Sequence, residues 1–102
     1  MKFIINLDES INEIMRKIGY TKGNSAKGDE FSIVRRLGSN DYPRFHLYIK
    51  MLNGGDYGCA FNLHLDQKKP SYEGVRRHSG EYDGDLVKNE VERIKQLLVS
   101  SL

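Results

Sequence analysis

Three side chains in the middle of the sequence are of the types that bind metals or transfer protons. His46 lies in an alternating run of apolar and polar residues, and His64 and Asp66 lie in a second such run. Two imidazoles and one carboxylate form a recurrent ligand set for divalent transition metals. A pair of imidazoles can also serve as general acid and general base. Both chemistries require that the two runs bring these side chains together.

The two runs are predicted to be strands, at residues 44–52 and 57–68, joined by a tight turn. A stable hairpin must place the apolar residues of both strands on one face. A three-residue loop at 54–56 does so, whereas a two-residue loop at 54–55 moves every side chain to the wrong face. With the three-residue loop, His46 lies opposite His64 and Arg44 lies opposite Asp66. Opposed side chains have Cβ atoms about 4.5–5.5 Å apart, so His46, His64 and Asp66 can reach a common point.

One interpretation of this polar face is a divalent-metal site, for binding or for metal-dependent hydrolysis. His46, His64 and Asp66 would supply the ligands, and His78, from the loop after the second strand, would add a further one. The alternative is that His46 and His64 are simply exposed polar residues that alternate with core residues. Without a metal, no cofactor is expected.

The interpretation that we favour at this point is RNA binding, with or without metal-independent cleavage. Cleavage needs an acid and a base, a cation at the phosphate and an aromatic ring for stacking. His46, His64 and His78 are the candidate catalytic residues. The candidate nucleic-acid contacts are basic or aromatic: Arg44, Tyr48, Lys50, Lys68, Lys69, Tyr72, Arg76 and Arg77. Exposed strands also use such residues for β-propensity and edge protection, which is the alternative explanation.

The segment 68–84 is expected to be a long polar loop. It contains four of these basic residues and two tyrosines. Loops longer than about 12–15 residues in small domains are usually functional or disordered. A basic, aromatic loop next to a polar sheet face can bind the phosphates of a nucleic acid. The alternative interpretation of this segment is an ordered surface loop with solvated charges.

The remaining elements predict a single α+β domain over residues 1–102. A helix near 10–18 begins at the N-cap Ser10, a strand covers 31–37, and a second amphipathic helix follows Asp85. Residues 2–7 can add a leading strand. The order is therefore α-β-β-β-α, an antiparallel meander with both helices on one face. The opposite face is expected to be open to water, a partner or a substrate.

This order of elements resembles that of double-stranded-RNA-binding domains and of small toxin nucleases built on the same plan. The resemblance is one of topology and implies RNA as the partner. The motif His64-Leu65-Asp66 resembles the His-x-Asp element of iron oxygenases. Those enzymes need a many-stranded jelly-roll barrel, which three or four strands cannot form. We therefore reject the oxygenase interpretation.

Composition limits the remaining possibilities. The 102 residues carry a net charge of +2, which neither requires nor excludes nucleic acid. No apolar run is long enough for a membrane span, and a single cysteine, Cys59, is expected in the core of a cytoplasmic protein. Serine catalysis is not expected, because no G-x-S-x-G motif is present. A protein-interaction module using the sheet face or the edge of strand 31–37 remains a third possibility, and oligomeric state is left open.

Overall fold

The computed structural model describes residues 1–7, 9–23, 28, 30–52, 58–67, 80–81 and 84–99. The elements in chain order are β1 (Lys2–Ile5), α1 (Ile11–Ile18), β2 (Thr21–Lys22), β3 (Glu30–Arg36), β4 (Arg44–Met51), β5 (Cys59–Asp66), β6 (Gly80–Glu81) and α2 (Asp85–Val99). All strand pairs are antiparallel, in the order β1-β5-β4-β3-β2, and β6 pairs with the end of β5. The predicted α+β fold, the meander and the leading strand are confirmed.

Helix α1 begins and ends where its sequence predicts. The hydroxyl of Ser10 accepts a hydrogen bond from the backbone N–H of Glu13 at 3.2 Å, which satisfies one of the free donors of the first turn. Gly19 follows the helix with φ of 80°, a left-handed conformation that costs glycine little. The helix is therefore held to eight residues, with Ile14 and Ile18 buried on one side.

The core lies between the two helices and one face of the sheet. Alternating residues of β4 and β5 pack against the apolar stripes of α1 and α2, as expected for helices on one face. Phe3 of β1 stacks on Phe61 of β5, with ring centroids 4.9 Å apart. Cys59 is buried in this core, and burial raises the pKa of its thiol. The expectation that Cys59 is a core residue is confirmed.

Two short strands lie where loops were expected. Residues 21–29 were expected to be a loop, but Thr21–Lys22 pairs with β3. Residues 68–84 were also expected to be a loop, but Gly80–Glu81 pairs with β5. A two-residue strand has too few positions to show an alternating apolar pattern, so the sequence gives no signal for it. The predicted turn residues 54–56 lie outside the described residues. Neither described helix has the length and apolar content needed to cross a membrane.

A buried carboxylate links both helices to the sheet. Glu90 of α2 accepts a hydrogen bond from the hydroxyl of Tyr20 at 2.6 Å and two from Arg93 at 2.8 Å, and Arg35 of β3 lies 3.6 Å away. Arg93 also donates to the carbonyl of Ile18, at the end of α1, at 2.6 Å. Burial, and then the contact with Glu90, raises the pKa of Tyr20, so the phenol remains a donor. A buried charge needs such partners to be tolerated.

We predict that Arg93→Met lowers the free energy of unfolding by about 3 kcal/mol, because it leaves the Glu90 carboxylate buried with its bidentate partner removed. Urea denaturation followed by circular dichroism measures the change. Arg16→Met removes an exposed charge from α1 and serves as the control, with an expected change of less than about 0.5 kcal/mol. Equal effects of the two variants would show that the Glu90 contacts do not stabilise the fold.

Candidate functional site

The predicted register of the central hairpin is confirmed. In the pairing of β4 with β5, His46 lies opposite His64, Tyr48 opposite Asn62 and Arg44 opposite Asp66. The apolar residues of both strands face the helices, so the polar residues share the other face of the sheet. This register places His46, His64 and Asp66 side by side, as the sequence predicts.

Asp66 is at the centre of the cluster formed by His46, His64 and Asp66, which we call the imidazole–carboxylate cluster. His46 Nδ1 lies 3.1 Å from Oδ2 of Asp66, and His64 Nε2 lies 2.8 Å from Oδ1. Each oxygen of the carboxylate therefore faces a different imidazole. Arg44 approaches the same carboxylate from the side, with Nε 3.4 Å from Oδ2.

The two imidazoles are buried, so the alternative interpretation, in which His46 and His64 are simply exposed polar residues, is wrong. His46 is 7% exposed and His64 is 9% exposed. Part of this burial comes from ring packing. Tyr48 stacks on His46 with centroids 4.4 Å apart and on His64 at 5.7 Å, and the two imidazoles are 4.9 Å apart. The cluster is thus a packed polar site and not a solvated surface.

Asp66 keeps its negative charge in this setting. Burial by itself would raise the pKa of Asp66, because it penalises the charged form. The hydrogen bonds with His46 and His64, and the attraction of both rings, outweigh burial and hold the pKa of Asp66 well below its usual range. The site therefore presents a carboxylate between two imidazoles at any pH near neutrality.

Ser32 of β3 joins the cluster and was not predicted from the sequence. Its hydroxyl lies 2.6 Å from His46 Nε2, so Ser32, His46 and Asp66 form a chain of hydrogen bonds in the order found in serine hydrolases. Ser32 is only 3% exposed, and a β-carbon at Gly23 would lie 2.8 Å from its oxygen. A nucleophile must reach a substrate carbonyl, so this burial favours a role for Ser32 in orienting His46.

The cluster has the composition of a metal site. One ligand atom from each of His46, His64 and Asp66 lies within 4.8 Å of the others. A tetrahedral ion with bonds of about 2.1 Å needs neighbouring ligand atoms about 3.4 Å apart. The observed separations between carboxylate and imidazole atoms, 3.1 Å to Oδ2 and 2.8 Å to Oδ1, are shorter than this value by about half an ångström or less. Small side-chain movements would therefore admit an ion.

The other predicted site residues fall into two groups. Arg44 contacts Asp66 and also lies 4.6 Å from the ring centroid of Tyr42, while Tyr48 is half-buried and Lys50 is exposed on the same face. The remaining residues lie outside the described part of the chain, and their roles stay predictions: Lys68, Lys69, Tyr72, Arg76, Arg77 and His78.

Asp66 is expected to make stability depend on pH on the acid side. Its pKa is lower in the folded state than the unfolded value of about 3.9, so its contribution is present above that value and is lost as the pH falls towards the folded pKa. We predict that Asp66→Asn costs roughly 1–3 kcal/mol at pH 5 and progressively less towards pH 2. Urea denaturation in the presence of a chelator measures this difference.

The matched control for this measurement is Asp41→Asn, because Asp41 is an exposed carboxylate paired with Arg36 at 3.0 Å. Its effect on the free energy of unfolding should stay below about 0.5 kcal/mol over the same pH range. An Asp66→Asn cost that does not change between pH 5 and pH 2 would contradict the lowered pKa.

The comparisons with known proteins add no further assignment to these residues. No protein-family model matches the chain, and no curated protein and no solved structure is significantly similar to it.

Proposed function

We propose that this protein binds a divalent transition-metal ion of the Zn²⁺ class through His46, His64 and Asp66. The observation that supports the proposal is the position of Asp66, whose two oxygens each face a nitrogen of a different imidazole. Nitrogen and carboxylate donors of this kind suit zinc and its neighbours, whereas Ca²⁺ and Mg²⁺ prefer all-oxygen sites.

The surroundings of the ligands support the same proposal. Metal-binding histidines usually donate the N–H of the other ring nitrogen to a nearby acceptor, which fixes the tautomer. His46 has such an acceptor, because the Ser32 hydroxyl lies 2.6 Å from Nε2. In the metal-free protein Nδ1 donates to Asp66; in the metal-bound form the ring proton would lie on Nε2 and be donated to Ser32, and the lone pair of Nδ1 would bind the cation beside Asp66.

The number of ligands indicates the kind of metal site. The three protein ligands found among the described residues leave one position of a tetrahedral ion for water, the pattern of catalytic zinc sites, whereas structural sites have four protein ligands. Metal-dependent hydrolysis is therefore the activity that we propose for a metal-loaded form. His78 lies outside the described residues; as the predicted fourth ligand it would fill the open position and make the site structural, so the hydrolysis proposal requires that His78 does not bind the ion.

Metal-independent cleavage of RNA by the histidine pair has weaker support. Acid–base catalysis requires each imidazole to reach the group whose proton it transfers. His46 and His64 are buried and both point at Asp66, so they do not face a shared substrate space.

We predict that the protein binds one Zn²⁺ per chain in isothermal titration calorimetry at about pH 7.5, and that Asp66→Asn weakens the affinity at least tenfold. The substitution preserves the size of the side chain and removes the charged ligand. Asp41→Asn should leave the affinity unchanged. Binding with more than one ion per chain, or with equal affinity in the Asp66→Asn variant, would refute the proposed site.

Arg44 provides a second test, in which the substitution is expected to raise the Zn²⁺ affinity instead of lowering it. A cation 3.4 Å from Asp66 Oδ2 repels a metal ion and competes for the carboxylate. We predict that Arg44→Gln raises the Zn²⁺ affinity roughly tenfold, because repulsion between unit charges a few ångströms apart is on the order of 1 kcal/mol even in water and doubles for a divalent ion.

The control for Arg44→Gln is Arg16→Gln, which removes an exposed charge from α1, on the other side of the sheet. Its Zn²⁺ affinity should equal that of the unmodified protein. If Arg44→Gln weakens Zn²⁺ binding, the guanidinium orients Asp66 for the ion and the competition described above is wrong.

A further inference from the structure

A groove of about 570 Å³ lies on the same face of the sheet as the imidazole–carboxylate cluster, and neither imidazole lines it. Its volume is within the range of small-molecule sites. We call it the Ala60 groove. Its polar and small lining residues are Lys2, Glu30, Tyr48, Lys50, Ala60 and Asn62.

The groove follows from the strand register. Ala60 of β5 lies between Ile4 of β1 and Lys50 of β4, and Asn62 lies between Lys2 and Tyr48 in the next polar row. The methyl group of Ala60 is much shorter than the side chains on either side. The row therefore has a depression at its centre, with Lys50 at its β4 margin and Ile4 at its β1 margin, and Lys2 lies in the next row on β1.

Tyr48 separates the groove from the cluster. Its ring stacks on His46, at a centroid distance of 4.4 Å, and Tyr48 also lines the groove. An aromatic residue in the wall of a groove suits the binding of a planar ring. The neighbouring amide of Asn62 offers both donors and an acceptor, which suits the edge of a heteroaromatic base.

The charge of the groove favours an anion. Lys2 and Lys50 are both exposed, and in the described part of the chain neither ammonium group has an ion-pair partner. Glu30 is the single carboxylate among the lining residues. Ammonium groups bind phosphate oxygens through charge-assisted hydrogen bonds.

We propose that the Ala60 groove binds a nucleotide unit, with its base stacked on Tyr48 and its phosphate held by Lys2 and Lys50. The ligand chemistry is a planar heteroaromatic ring that carries a phosphate. It can come from a free mononucleotide or from one nucleotide of a single-stranded RNA. The inference does not require metal binding, because Lys2, Lys50 and Ala60 take no part in the cluster; among the described residues, Tyr48 alone packs on the imidazoles and also lines the groove.

The test is a titration of ¹⁵N-labelled protein with AMP, followed by amide chemical shifts. We expect saturable shifts centred on Glu30, Lys50, Ala60 and Asn62, with adenosine and ribose 5-phosphate each binding roughly tenfold more weakly. Lys50→Gln should weaken AMP binding several-fold, and Ala60→Leu, which fills the groove, should abolish it. Lys88→Gln removes a charge from the exposed side of α2 and is the control, with no expected change.

A short oligoadenylate distinguishes the two sources. Tighter binding of the oligoadenylate than of AMP, centred on the same amides, indicates that the nucleotide belongs to an RNA strand, and equal or weaker binding indicates a free nucleotide. The proposal is overturned if adenosine binds as tightly as AMP, if Ala60→Leu binds AMP normally, or if no saturation occurs below about 10 mM.

Discussion

The pairing of β4 with β5 is the constraint on which the rest of the structure depends. Side chains alternate between the faces of a strand, so one register determines the composition of both faces at once. The apolar residues of the two strands must meet the helices, and this requirement brings Arg44 opposite Asp66 and His46 opposite His64. The polar cluster is therefore a direct consequence of how the core is packed. A shift of β5 by one residue would turn His64 towards the helices and expose Phe61 and Leu63.

Because the hydrophobic pattern of the sequence determines the register of β4 with β5, the sequence predicts the central hairpin and the helices well. It also predicts α1 in detail, since Ser10 and Gly19 are chemically suited to the ends of a helix. The burial of the imidazoles could not be predicted, because it depends on the packing of Tyr48 and on β3. Ser32 was missed for the same reason. The register of β3 against β4 places Ser32 beside Tyr48 and next to His46, but the turn at 38–43 has no simple loop geometry from which that register could be derived.

Among the described residues, the buried Glu90 and the half-buried Asp66 are carboxylates that are each stabilised in a different way. Glu90, between the helices and the sheet, is surrounded by Arg93, Arg35 and Tyr20, so its charge is compensated by cations that also join α2 to the end of α1. Asp66 is surrounded mainly by two imidazoles, which are donors or ligands according to their protonation. The first arrangement suits a permanent structural contact. The second leaves Asp66 able to exchange its partners for a cation, which is why we place the function at Asp66 and not at Glu90.

The position of β1 has a consequence for the order in which the molecule assembles. Strands β3, β4 and β5 are consecutive in the chain, so the imidazole–carboxylate cluster and Ser32 can form from contacts between neighbouring hairpins. The Ala60 groove instead needs Lys2, which pairs with Asn62. These two residues are far apart in the sequence. Contacts between distant parts of a chain form slowly, because the closure of a long loop costs entropy. On a ribosome, β1 leaves the exit tunnel before β5 and has no partner until β5 follows, so the groove depends on a long-range pairing that the cluster does not need.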